Sequence, residues 1–180
     1  MKKVFLLVVT TILLFSCGNS DNSATADQDD SNYKYVYDSG YDFNDSMFAI
    51  INNIQIVEDN LFAQNNTGED MEQIRQKVSE MLVVGIEKIE QTKPYYEGED
   101  LKKQVLVVLK LKQKHIDNDW KTIIELVGDA KIVDVSEEIF NQIKEKVNKI
   151  GTAEDLEADV LAGVQNIFAT SMGTYVETPE

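Results

Sequence analysis

The sequence predicts an all-α protein, an antiparallel up-down four-helix bundle, and three observations support that prediction. Apolar residues recur every three or four positions in four successive segments, which is the spacing of one buried face on an amphipathic helix. The prolines are Pro94 and Pro179, so long stretches lack the residue that most strongly interrupts a helix. Short connections between the segments favour antiparallel neighbours. We place the bundle at residues 41–173 and a disordered tail at 174–180.

Four tyrosines precede the first predicted helix, at spacings of two, two and four residues. This alternation with polar residues predicts a short extended strap that packs on the bundle. The tyrosines are Tyr33, Tyr35, Tyr37 and Tyr41. The first helix is predicted to start at Asp42 or Asn44, either of which can cap it, and to run to about Gln64.

The second helix is predicted between Thr67 and Lys93. Thr67 and Asp70 have the spacing of a capping box, in which each side chain bonds the backbone N–H of the other residue. Gly85 falls on the apolar stripe of this helix. We therefore expect a neighbouring helix to approach closely at that position, because glycine has no side chain to hold it away.

The third helix is predicted from Leu101 to Val127, where Gly128 provides a C-terminal stop. A last helical segment begins after Ser136, which can cap it. Two alternatives remain for residues 136–172. The segment is one helix, or it breaks near Gly151, because Thr152 and the aspartate that follows it three positions later imitate a second capping box.

Residues 1–16 are predicted to be a signal peptide. Two lysines precede the apolar run Val4–Phe15, which is shorter than the roughly 20 residues that a helix needs to cross a bilayer. The following residues, Leu14-Phe15-Ser16-Cys17, resemble the lipobox of bacterial lipoproteins. That resemblance implies cleavage before Cys17 and lipid on its thiol, so the mature chain would be anchored in a membrane through Cys17.

Residues 17–40 are predicted to be the lipidated cysteine and a flexible acidic tether. Few apolar side chains occur before Tyr33, and such a segment cannot bury enough surface to offset the entropy of ordering it. Its Ser/Asp-rich start resembles the surface-export signals of Bacteroidetes-type lipoproteins. That resemblance implies an outer-membrane protein at the cell surface, and the alternative is a solvated linker that faces the periplasm.

The charge of the chain argues against one class of partner. The formal net charge is −15, and a field of that sign repels the phosphates of nucleic acids. We therefore expect no nucleic-acid partner. The acidity is explained by solubility or, alternatively, by the binding of a cation or a basic protein.

No catalytic, cofactor-binding or metal-binding residues are predicted. His115 is the single histidine, and Asp119 lies one turn further along the same predicted helix. A di-iron bundle needs two Glu-x-x-His motifs, which one histidine cannot supply. Lipid on Cys17 leaves no cysteine for a zinc site. No Gly-x-Ser-x-Gly elbow is present to hold a serine nucleophile near His115.

Paired carboxylates could perform acid–base chemistry if they were buried. The candidate pairs are Glu87 with Glu90 and Asp155 with Asp159, and a solvated helix face explains both pairs equally well. Lys112 falls near the inner stripe of the third helix. It either extends to the edge of the bundle or meets a buried acid.

The whole layout resembles small uncharacterised helical surface lipoproteins, including a spirochaete surface-protein family. The resemblance rests on Cys17, Tyr41–Asp45 and Gln165–Ala169, and it implies a surface location without known catalytic activity. The predicted function is therefore a membrane-anchored, surface-exposed, non-enzymatic binding or structural module with an unknown protein or small-molecule partner. One alternative is a bundle that holds a small apolar ligand or a cation beside Met47, Met71, Met81 or Trp120. The other is an enzyme that relies on His115.

Overall fold

The computed structural model describes residues 32–172, and this part of the chain is predominantly helical. The helices are α1 (Gly40–Glu58), α2 (Gly68–Glu90), α3 (Glu99–Lys114), α4 (Trp120–Val127) and α5 (Glu137–Ser171). A π-helical segment, His115–Asp119, joins α3 to α4 without interruption, so the domain has four helical rods. The described residues contain two isolated β-bridges and no β-strand. The predicted all-α class and the number of helices are confirmed.

Several predicted features lie outside the described residues. These are the signal peptide 1–16, the lipidation site Cys17, residues 18–31 of the tether, and the tail 174–180. Among residues 32–172, no helix combines the length and the apolar character that a membrane span requires.

The cap of helix α1 lies three residues earlier than the first position predicted, because Ser39 and not Asp42 or Asn44 caps the helix. The backbone N–H of Asp42 donates to Ser39 Oγ at 3.0 Å. The α-helix ends at Glu58, and a 3-10 turn over Asp59–Phe62 follows it. The strap before α1 is bonded to the end of α2: the N–H of Tyr35 donates to the Gln91 carbonyl at 3.2 Å.

The capping box predicted for α2 is confirmed. The N–H of Asp70 donates to Thr67 Oγ1 at 3.3 Å, and the N–H of Thr67 donates to Asp70 Oδ2 at 2.9 Å. The close approach predicted at Gly85 is also present. A Cβ added there would lie 2.7 Å from Ile50 Cγ2 of α1, which is closer than two carbon atoms can pack.

Helix α5 is continuous, which decides between the two alternatives for residues 136–172. Ser136 caps it as predicted, accepting from the N–H of Ile139 at 3.3 Å. Thr152 does not cap a second segment, because its hydroxyl donates to the Asn148 carbonyl at 2.8 Å within the helix. A Cβ added at Gly151 would contact nothing within 4 Å, so packing does not require glycine there.

One apolar core holds the rods together. Its fully enclosed large side chains come from all helices except α5, which adds its own inner residues at the edge. The enclosed side chains are Phe43, Met47, Ile54, Leu61, Met71, Val78, Leu82, Ile89, Leu101, Leu109, Ile116 and Ile123. The α5 residues of the core are Ile143, Ile150, Leu161 and Phe168.

The two segments that carried the family resemblance contact each other. Asn44 Oδ1 of α1 accepts from Gln165 Nε2 of α5 at 3.0 Å. Phe43 precedes Asn44 in the sequence, and Phe168 lies three residues after Gln165. The ring centroids of these two phenylalanines are 5.6 Å apart. Packing between α1 and α5 therefore accounts for these residues.

Candidate functional site

Four ionisable side chains meet in the interior between α1, α3 and α5. Glu58 comes from the last turn of α1, Lys112 from the last turn of α3, His115 from the first position of the π segment, and Glu154 from the middle of α5. We call these four residues the buried ionic cluster. Lys112 and Glu58 are 5% and 7% exposed, and Glu154 is 18% exposed.

Lys112 connects the two carboxylates of the buried ionic cluster. Its Nζ lies 2.7 Å from Glu58 Oε2 and 2.6 Å from Glu154 Oε2. His115 Nδ1 lies 3.0 Å from Glu154 Oε1. A carboxylate accepts and cannot donate, so Nδ1 carries the hydrogen and donates to Glu154. Glu154 therefore joins the π segment to α5 through two hydrogen bonds.

The cluster contains two carboxylates, and Lys112 forms an ion pair with each of them. Burial disfavours charge and raises the pKa of Glu58, although the positive charge of Lys112 opposes this. Burial alone would also raise the pKa of Glu154. Hydrogen bonds from His115 and Lys112 outweigh it and hold the pKa of Glu154 below its usual value. For Lys112, burial lowers the pKa, but the two carboxylates overcome this and raise it.

The π segment sets the position of His115. A π segment leaves backbone carbonyls of the helix without their ordinary partners and is frequently found at functional sites. The guanidinium of Arg75 on α2 reaches the Ile116 carbonyl of this segment at 3.5 Å. The same guanidinium donates twice to Glu72 at 2.7 Å, and the bond to Arg75 lowers the pKa of Glu72 to about 2. Arg75 Nη1 also lies 3.7 Å from Asp117 Oδ1 of the segment, so α2 supports the bulge through a hydrogen bond and an ion pair.

A surface hollow of about 210 Å³ opens beside the π segment. We call it the bulge hollow. It is lined by His115 and Asp119 of the π segment and by Lys146, Lys149 and Ile150 of α5. His115 and Asp119, which the sequence placed one turn apart, thus share this hollow. The hydrogen bond of His115 Nδ1 goes to Glu154 on another helix rather than to Asp119.

The outer face of α5 carries an exposed apolar stripe. Leu156, Val160 and Ile167 are 64%, 45% and 71% exposed, and a Cβ added at Gly163 would contact nothing within 4 Å. At 100° per residue these four positions lie within about 60° of one another around the helix. We call these four residues the α5 stripe. It lies about 120° around the helix from the inner residues of α5, and its three apolar side chains are 45–71% exposed, so no described helix fully covers it.

The other predicted candidates do not form sites. Glu87, Glu90, Asp155 and Asp159 are all exposed, so neither carboxylate pair is buried as acid–base chemistry would require. The residues proposed to line an apolar cavity pack against the core instead and line neither the bulge hollow nor a second shallow hollow on α2. They are Met47, Met71, Met81 and Trp120. Within residues 32–172, no group of three or more His, Cys, Asp or Glu side chains is placed to hold a metal ion.

The sequence analysis identified two of the four members of the buried ionic cluster. His115 was a candidate as the single histidine, and Lys112 was expected to extend outward or to meet a buried acid. The second of these alternatives is the one observed. Glu58 and Glu154 were missed, although each lies at or beside an apolar position on its helix. A charged residue on an apolar stripe is the sequence signal that would have singled them out.

Comparison with known proteins finds no relatives. No family model matches the chain, and no curated protein or solved structure matches it.

Proposed function

We propose that this chain is a lipid-anchored envelope protein whose helical domain binds another protein, without catalysis, through the α5 stripe. The observation that carries the proposal is the exposure of Leu156, Val160 and Ile167 on one line of a helix that is otherwise well packed on its inner face. Aligned exposed apolar side chains on a helix are characteristic of a surface that receives an amphipathic partner helix.

The spacing of the stripe fits a helical partner. Leu156, Val160, Gly163 and Ile167 follow one another at intervals of four, three and four residues. That is the seam spacing of helices that pack side by side. Gly163 leaves a gap in the middle of the seam, and a partner backbone can approach closely there because no side chain holds it away.

The charges beside the stripe favour a basic partner. Asp155 and Asp159 lie along one edge of the stripe and are exposed, and Glu157 lies along the other edge. The whole chain has a formal net charge of −15. A second copy would bring the same acids against these edges, whereas lysine or arginine side chains that flank a partner's apolar face would pair with them. The proposed partner is therefore an amphipathic helix with basic flanks.

The antiparallel up-down arrangement of the four rods is part of this proposal. Phe43 at the start of α1 packs on Phe168 near the end of α5, while Glu58 at the end of α1 is linked through Lys112 to Glu154 in the middle of α5. The end of α2 meets the start of α3, where Lys102 Nζ donates to the Glu90 carbonyl at 3.1 Å. In an up-down bundle with these neighbours, α5 has one face free for a partner.

Anchoring through lipid on Cys17 and display at the cell surface complete the proposal. The lipobox-like residues before Cys17 and the Ser/Asp-rich stretch after it support these two points.

Replacing Cys17 with serine should abolish lipid labelling and release the chain from the membrane fraction. Protease added to intact cells should digest the helical domain while a periplasmic control protein survives; its protection until lysis would exclude the surface location.

A synthetic peptide tests the binding face in vitro. The probe is an amphipathic helical peptide with leucines on one face and lysines on both flanks, and a glutamate-flanked peptide with the same leucines is its control. The full chain, purified in detergent, should bind the basic peptide, and the double variant Leu156→Ser/Ile167→Ser should lose this binding. The matched double variant Val83→Ser/Val84→Ser changes two exposed valines of α2 and should bind normally. Equal binding by both double variants would overturn the proposed face.

A further inference from the structure

The bulge hollow is lined by charged side chains that the packing of the helices does not explain. Lys146 and Lys149 contribute two positive charges on a chain that has 32 acidic and 17 basic residues. Lys146 forms no ion pair with any other residue of the 32–172 region, and Lys149 has a single exposed pair with Glu145 at 3.0 Å. Glu145 also interacts electrostatically with Lys146, so one exposed glutamate is shared by two lysines, and the remaining positive charge favours an anion in the hollow.

His115 offers an unused nitrogen to the same hollow. Its side chain is 8% exposed, and its Nδ1 is held by Glu154. Its Nε2 has no hydrogen-bond partner within residues 32–172. Because Nδ1 is used by Glu154, Nε2 is the ring nitrogen left for a ligand, and it accepts a hydrogen bond when it carries no hydrogen. A histidine fixed by a carboxylate on one nitrogen presents the other nitrogen in a defined direction.

Asp119 makes the bulge hollow selective among anions. It lies in the bulge hollow as a carboxylate, so it repels an anion that has only acceptor oxygens. An anion that also carries a hydroxyl can donate to Asp119 or to His115 Nε2 while its charged oxygens accept from the two lysines.

We propose that the bulge hollow binds a small oxyanion that also carries a hydroxyl donor, which is the chemistry of hydrogen phosphate, of a sugar phosphate and of a sugar acid. The charged oxygens accept from Lys146 and Lys149, and the hydroxyl donates to His115 Nε2 or Asp119. The site does not depend on the α5 stripe, because it is formed by different residues of α5 together with the π segment.

The single histidine gives this site its own reporter. The ring C–H resonances of His115 are the only histidine signals that the chain contributes to an NMR spectrum. We would titrate the full chain, purified in detergent without a histidine tag, with inorganic phosphate, glucose 6-phosphate, glucuronate and sulfate at neutral pH. Sulfate is the control ligand, because it has the tetrahedral charge of phosphate but no hydroxyl at this pH.

The expected result is a saturable shift of the His115 resonances with at least one of the three hydroxyl-bearing anions and a much weaker response to sulfate. The tightest of the three shows which class of hydroxyl-bearing anion the hollow prefers. The double variant Lys146→Gln/Lys149→Gln should weaken binding by about tenfold for each lysine removed, the change expected for one charge-assisted hydrogen bond. The matched variant Lys131→Gln/Lys144→Gln makes the same change of net charge at exposed sites outside the hollow and should bind normally.

Asp119→Asn separates the proposed selectivity from simple charge attraction. Removing the carboxylate should increase sulfate binding and reduce the preference for hydroxyl-bearing anions. The proposal is overturned if none of the three anions gives a saturable shift. It is also overturned if both lysine double variants lose binding equally, since the response would then reflect the net charge of the chain and not the hollow.

Discussion

Lys112 and Glu58 are separated by 54 residues in the sequence and form an ion pair in the interior, with Nζ 2.7 Å from Oε2. Their side chains are almost completely enclosed, so water screens the pair very little. Glu154 shares the same ammonium group. The arrangement joins the end of α1, the end of α3 and the middle of α5 at one point, and a single lysine supplies the positive charge for both carboxylates.

Replacing Lys112 with methionine should therefore destabilise the domain strongly. The change leaves two buried carboxylates facing each other without a cation, and breaking a buried pair in this way costs about 3–5 kcal/mol. The free energy of unfolding from a urea titration measures it. Lys110→Met is the matched control, because Lys110 pairs with Glu90 at 2.9 Å where both side chains are about half exposed, so its loss should cost at most about 1 kcal/mol. A similar small cost for Lys112→Met would show that the cluster does not stabilise the fold.

The stability of the Glu58→Gln variant, relative to that of the unchanged chain, should increase as the pH rises. The pKa of Glu58 is raised in the folded state, so the folded state favours the protonated form. The stability from this preference is complete below the pKa of the unfolded chain and is lost as the pH rises through the folded pKa. Glutamine cannot ionise and avoids that loss. Thermal unfolding of both chains from acidic to neutral pH measures the difference, and a Tm difference independent of pH would contradict the direction of the shift.

Gly85→Ala should destabilise the contact between α1 and α2, although alanine is the better helix former. The new Cβ would lie 2.7 Å from Ile50 Cγ2, and such overpacking costs about 1–3 kcal/mol. Adding Ile50→Ala removes the atom that clashes, so the double variant should lose less stability than the two single changes predict together. Additive losses would mean that Ile50 is not the obstacle. The measurement is the free energy of unfolding of the three variants.

Gly163→Ala and Gly151→Ala should have the same effect on stability, but only Gly163→Ala should weaken peptide binding. Neither added Cβ meets another atom within 4 Å, so each change should stabilise α5 by about 0.5–1 kcal/mol through helix propensity. Only Gly163 lies in the α5 stripe. The basic peptide should therefore bind more weakly to Gly163→Ala and normally to Gly151→Ala, as measured by calorimetry. Unchanged peptide binding in both variants would remove Gly163 from the proposed interface.

The parts of the fold that depend on local pattern could be predicted from the sequence. The capping box of Thr67 and Asp70, the close approach at Gly85 and the cap at Ser136 all follow from a few neighbouring residues. The continuity of α5 was left undecided, because the capping-box pattern of Thr152 competes with a bond to the preceding turn.

The buried ionic cluster could not be predicted as a whole, because its members come from three helices. Periodicity shows that Lys112 lies near the inner face, but it does not show which carboxylate it faces. The π segment was also missed, because intervals of three and four residues continue through it from Leu109 and Lys112 to Ile116, Trp120 and Ile123. That segment is what places His115 against Glu154 and at the bulge hollow.

The central claim is that the α5 stripe binds another protein in the cell, and site-specific photocrosslinking in intact cells tests it most directly. A photoreactive amino acid at Val160 places the probe in the stripe, and one at Val84 places it on an exposed position of α2. The account predicts an adduct at Val160 with a second protein that carries a basic amphipathic helix, no such adduct at Val84, and loss of the Val160 adduct when Leu156 and Ile167 are changed to serine. Equal adducts at both sites, no adduct at Val160, or an adduct between two copies of this chain would contradict it.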